Sequence, residues 1–111
     1  MKTNIEKATG TWTVRAGGAV LVESKQALSV SENGQNAVTY FPPQDVPMEF
    51  LDAEKTVDHP HLGTVQYYSI VTKSTTLENA AWSLSTPAQD AAALKDYVAF
   101  YQSDRVTVEK I

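Results

Sequence analysis

A chain of 111 residues with a formal net charge of -4 and no cysteine can carry neither a disulfide framework nor a thiolate metal site, and it is too short for two self-sufficient cores. Hydrophobic residues make up 42% and charged residues 20%, enough apolar material for one globular domain, while the lysines and arginines are scattered rather than gathered on a basic face, so nucleic acid is not an expected partner. No stretch approaches the ~20 apolar residues of a membrane span, and the polar opening Met1-Lys2-Thr3-Asn4-Ile5-Glu6-Lys7 predicts a cytoplasmic chain.

Residues 1–10 are expected to form a flexible N-terminus, followed by a single domain over 11–111. Thr11-Trp12-Thr13-Val14-Arg15 and Ala19-Val20-Leu21-Val22-Glu23 are rich in β-branched and aromatic residues and flank Gly17-Gly18, which predicts a hairpin. Leu28 and Val30 alternate with serines up to Glu32-Asn33-Gly34, a strong turn signal, and Ala37 to Phe41 returns as the second strand. Pro42-Pro43 ends it. Val46 to Leu51 reads as an edge-like extended segment interrupted by Pro47, and residues 52–63 as a loop or irregular strand. Thr64 to Thr72 is the longest strand candidate, with Thr75 to Leu77 and Ala80 to Leu84 returning beside it. Thr86, Pro87 and Gln89 have capping-box spacing, which predicts one short helix over 87–96. Tyr97 to Tyr101 and Val106 to Val108 then revert to strand character, with a turn at 102–105.

Four stretches in order carry a family resemblance: Ala19 to Ser24 after the Gly-Gly turn; Tyr40-Phe41-Pro42 with Asp45-Val46; Pro60-x-x-Gly63 followed by Tyr67-Tyr68; and Ala80-Ala81-Trp82-Ser83 with Pro87. Together with Tyr97 to Tyr101 they resemble the family catalogued as domain of unknown function 427, which also carries an old label of nucleotidyltransferase. The resemblance spans about Thr11 to Val108. It implies a mainly β fold, two antiparallel sheets in a β-tent (Mss4-like) arrangement similar to the ligand-binding domain of cereblon, with one short C-terminal helix. It implies no activity. The zinc that two Cys pairs hold in other β-tent proteins has no ligands here, and neither a Gly-Ser with paired aspartates nor a phosphate-cradling glycine loop supports the transferase label. His59-Pro60-His61-Leu62-Gly63 stands where the family commonly has Cys-Pro-x-Lys-Gly, and Pro42-Pro43-Gln44-Asp45 where it often has Pro-Arg.

Within that frame, Tyr40, Tyr67, Tyr68 and Trp82 combine apolar rings with polar tips, as a ligand cleft requires, or else they are core and sheet-face residues. Tyr67 and Tyr68 must face opposite sides of their strand, so one pocket can take at most one of them. Ser24, Asp45 and Arg15 could clamp a small anion, form a structural ion pair, or cap a turn. The reading favoured is a small-ligand-binding domain with a cleft of Ser24, Tyr40, Asp45, His59, Tyr68 and Trp82. One alternative is an enzyme on a small metabolite in the same cleft, with His59 and Asp45 as acid and base. Another is a structural protein pairing its exposed strand edge near Met48 to Leu51 with a second chain. No cofactor and no tightly bound metal are expected, because two histidines fall short of a closed site, although His59 and His61 could take a transition metal weakly. The chain is expected to be a monomer or a weak homo-oligomer.

Overall fold

The computed structural model describes residues 3–32, 37–59, 63–72, 76–87 and 89–111. Among the described residues ten strands build two antiparallel sheets, the mainly β architecture that the alternating sequence predicts. They are β1 (Thr3–Lys7), β2 (Trp12–Ala16), β3 (Ala19–Ser24), β4 (Leu28–Glu32), β5 (Val38–Phe41), β6 (Leu51–His59), β7 (Gly63–Val71), β8 (Thr76–Pro87), β9 (Val98–Phe100) and β10 (Val106–Lys110). The large sheet has the order β1-β4-β5-β9-β8-β7-β6 and the small one β10-β2-β3. No helix among the described residues is long and apolar enough to cross a membrane.

The β2–β3 hairpin forms as expected. Gly17 and Gly18 both adopt positive φ, 60° and 85°, the pair of left-handed residues that a tight hairpin turn with matching twist requires. The β4–β5 pairing is also present, with Leu28 opposite Tyr40 and Val30 opposite Val38; its Asn33-Gly34 turn lies outside the described residues. The β7–β8 pair is the long central hairpin.

Four expectations are corrected. Residues 3–7 are a strand, fully paired with β4 from Thr3 opposite Glu32 to Lys7 opposite Leu28, and Ala8 behind them is buried; the ordered domain therefore starts well before residue 11. Ile5 packs onto the large sheet, and that single apolar side chain among polar neighbours was too weak a sequence signal. Of the segment 52–63, read as a loop or irregular strand, residues 52–59 form with Leu51 a nine-residue edge strand, β6, paired with β7 through Leu51 opposite Ile70 and His59 opposite Gly63. Seven of its nine residues are exposed, so little alternating apolar pattern marks it. The predicted helix is a 3-10 turn over Gln89–Leu94, after a β8 that runs on to Pro87. The expected extended segment at 46–51 is likewise mostly a 3-10 turn, Met48–Phe50, following another at Pro43–Asp45.

Strand alternation gives the large sheet two unlike faces. Phe41, Ile70, Ala81, Val98 and Phe100 point toward Val14, Ala16, Val22 and Val106 of the small sheet and form the main core. Tyr40, Val65, Leu84 and Ala99 belong to a second cluster, onto which Leu94 of the last 3-10 turn closes, with Tyr67, Trp82 and Tyr97 packed against it. Full burial of a side chain such as Phe41 contributes roughly 1.5–3 kcal/mol.

Candidate functional site

The site follows from a change of sheet. β9 belongs to the large sheet and β10 to the small one, so the chain must leave the large sheet within the few residues after Phe100. It does so through a turn in which Ser103 N–H donates to Val106 O at 2.9 Å and Ser103 Oγ accepts from the amides of Arg105 and Val106. β5 and β9 are consequently paired only at Tyr40 with Ala99 and Phe41 with Val98. Beyond that point they part, and Tyr101 N–H bonds Ala80 O of β8 at 2.8 Å.

A hollow of about 460 Å³ lies in the fork. Ala37, Val38, Thr39 and Ser29 form one wall, Phe100, Tyr101 and Gln102 the other, Trp12 and Val108 of the small sheet contribute from one side, and Trp82 of β8 completes it. Ser29 and Thr39 are cross-strand partners, which places their hydroxyls side by side.

An aromatic assembly runs from this hollow across the large sheet. Trp82 Nε1 donates to the hydroxyl of buried Tyr40 at 3.0 Å, with the rings edge to face at 6.1 Å. Tyr101 rests on Trp82 with ring centroids 4.4 Å apart and stacks on Tyr67 at 6.5 Å with an interplanar angle of 3°. The Lys55 ammonium lies over the Tyr67 ring, 5.7 Å from its centroid, a cation–π distance. Burial first, then the hydrogen bond with Tyr67 and the nearness of Tyr67 and Tyr40, push the Tyr101 phenol up to about 12. It stays protonated at neutral pH, suited to hydrogen bonding and unsuited to act as a base.

The six residues proposed from sequence are distributed over several places. Tyr40 and Trp82 are together, as expected, and Trp82 lines the hollow. Tyr68 is on the opposite face: it packs against the main core and its hydroxyl accepts from Ser83 Oγ at 3.4 Å. Register decides this, because Trp82 is opposite Tyr67 while Tyr68 is opposite Ala81, so Tyr67 shares the face of Trp82. Ser24 and Asp45 do meet, with Ser24 Oγ donating to Asp45 Oδ2 at 2.7 Å while accepting from Gln26 N–H at 3.0 Å. Buried Ser24 thus ties β3 to the turn at Pro43–Asp45, and this structural bond uses the hydroxyl in both directions. Arg15 is directed to Glu109 of β10 at 3.4 Å on the exposed face of the small sheet.

His59 ends β6 at the sheet edge. A nine-residue strand carries it about 26 Å from Leu51, away from the turn that holds Asp45, so the proposed acid–base pair is not assembled. Pro60 and His61 lie outside the described residues. Among the described residues no three His, Cys, Asp or Glu side chains gather as a metal centre would need.

Sequence reasoning missed Tyr101 and Trp12. The alternation Tyr97-x-Ala99-x-Tyr101 against Val98 and Phe100 was a legible sign that Tyr101 shares the face of Tyr40 and Trp82. Nothing in the local sequence of Trp12 places it beside Trp82, since the two belong to different sheets.

A family model described as a domain of unknown function (DUF427) matches residues 4–110. No curated protein matches the chain. The match begins inside β1 and ends at the last residue of β10, so it takes in both sheets and the fork between them. The chain belongs to the DUF427 family.

Proposed function

We propose that this domain binds a small molecule in the fork between β5 and β9. The observation that carries the reading is a hollow of about 460 Å³ walled by aromatic side chains from both sheets. Its size falls in the usual range of ligand sites, ~300–1,000 Å³, and its mixture of apolar rings with a few neutral polar groups is the ordinary composition of such sites. Aromatic contacts among Trp82, Tyr101 and Tyr67 and the bond from Trp82 to Tyr40 hold the walls in place, which lowers the ordering cost of binding. The acid–base alternative lacks an assembled pair, and no observation favours it.

The chain has two tryptophans, and both line the hollow, so the protein carries its own reporter. Screening a metabolite library against the two indole N–H resonances in an NMR spectrum tests the reading. Saturable shifts of both indoles, with the signal of the partner indole weakened in Trp12→Phe and Trp82→Phe, are the expected result. A library in which no compound moves either resonance would refute the proposal.

A further inference from the structure

One residue in five of this chain is charged, yet the described lining of the fork contains no Asp, Glu, Lys, Arg or His. The one titratable group among the lining residues is the Tyr101 phenol, and it is protonated well beyond neutral pH.

The lining does contain neutral polar groups with spare hydrogen-bonding capacity. The Ser29 and Thr39 hydroxyls find no partner among the described residues. Gln102 uses its Oε1 to accept from Val108 N–H at 3.3 Å, which fixes the side-chain amide and leaves its Nε2 donors available. The rings of Trp82 and Tyr101 line the same hollow, and aromatic faces favour contact with another flat π system. An anionic ligand would lose hydration here without meeting a cation, a cost that neutral hydrogen-bond donors offset only in part. Phosphate and nucleotide ligands are therefore the poorest match to the fork.

Resting on the binding reading above, we propose that the fork selects an uncharged planar ring bearing carbonyl or ring-nitrogen acceptors, held between Trp82 and Tyr101 on one side and Ser29, Thr39 and Gln102 around its edge.

The test compares neutral and anionic congeners of the same ring, nicotinamide against nicotinate and uracil against orotate, by the shifts of the Trp12 and Trp82 indole resonances. The neutral member should bind about tenfold more tightly than the anionic one, since a charge that gives up part of its hydration without meeting a cation costs on the order of that factor. Its affinity should stay constant from about pH 6 to about pH 8, where no lining group titrates, and from about 50 to about 500 mM salt, because no ion pair is screened. Thr39→Arg, checked for an unchanged unfolding temperature, should bring the anionic congener to within a few-fold of the neutral one.

Equal or tighter binding of nicotinate and orotate to the native chain, with the same indole shifts, overturns the selectivity and leaves the binding reading standing. So does silence of all four probes when other library compounds shift the indoles. Silence of every compound overturns both.

Discussion

The two faces of the large sheet are built for different ends. On the inner face, Phe41, Ile70 and Val98 are fully buried and meet the small sheet through aliphatic and phenyl groups, where close packing supplies stability and leaves nothing for a ligand to bind. On the outer face the aromatic side chains, Tyr40, Tyr67, Trp82 and Tyr101 among them, carry hydroxyl or indole N–H groups, several are only partly buried, and Tyr101 is 46% exposed. Polar tips cost little there because each can be satisfied by a neighbour or by water. The difference teaches that residues of similar size on consecutive positions, Tyr40 and Phe41 or Phe100 and Tyr101, are sent by strand parity to faces of different chemistry, one apolar throughout and one tipped with hydrogen-bonding groups.

That division can be broken most forcefully on the inner face. Phe41→Ala removes a fully buried ring and should cost about 3–5 kcal/mol, lowering the unfolding temperature by on the order of 15 °C. Calorimetry measures it; a loss below about 1 kcal/mol would mean that the two sheets are not held by this core.

A smaller loss belongs to the outer face. Trp82→Phe deletes the donor to Tyr40 and part of the contact with Tyr101, and should cost about 1–2 kcal/mol in chemical denaturation. Unlike Phe41→Ala, it should weaken ligand binding even at temperatures where the variant is fully folded.

Ser24→Ala severs the tie to Asp45 and the acceptor for Gln26 N–H, with an expected loss of about 1 kcal/mol and no effect on the indole shifts produced by ligands. An altered binding curve in a folded Ser24→Ala protein would return Ser24 to the site.

Alkaline pH separates the faces more gently. The Tyr101 phenol titrates near 12 when folded against 10.0 for the free group, so its contribution is intact below the unfolded value and is lost as pH rises through the folded one. In Tyr101→Phe the decline in unfolding temperature between about pH 10 and about pH 12 should be shallower than in the native chain. Identical slopes would show that Tyr101 is not the group whose hydroxyl is held protonated.

The smallest effect has the opposite sign. Ser69 Oγ is buried without a hydrogen-bond partner among the described residues, opposite the irregular pairing where Tyr68–Ala81 gives way to Ile70–Leu77 and Asn79 takes a φ of 53°. Ser69→Ala removes an unsatisfied hydroxyl and should leave stability unchanged or raise it by up to about 1 kcal/mol. A clear loss would reveal a partner for that hydroxyl.

The sequence by itself determined the mainly β character, the β2–β3 turn at Gly17-Gly18, the return of β5 after β4 and the central β7–β8 hairpin, because turn chemistry and two-residue alternation act over a few neighbouring positions. It also determined that Tyr67 and Tyr68 could not share a pocket, and it placed Trp82 and Tyr40 in one candidate cleft. Which tyrosine joins them was decided by the register between β7 and β8, a property of two strands together: a shift of one residue would have exchanged Tyr67 for Tyr68. The strand at 51–59 was hidden because an exposed edge needs no apolar pattern, and its stability comes from hydrogen bonds to β7. The fork itself was decided only by the tertiary structure. It exists because β9 and β10 lie in different sheets, so the chain must abandon β5 at Tyr101, and sheet membership is set by long-range packing that no local stretch of sequence encodes.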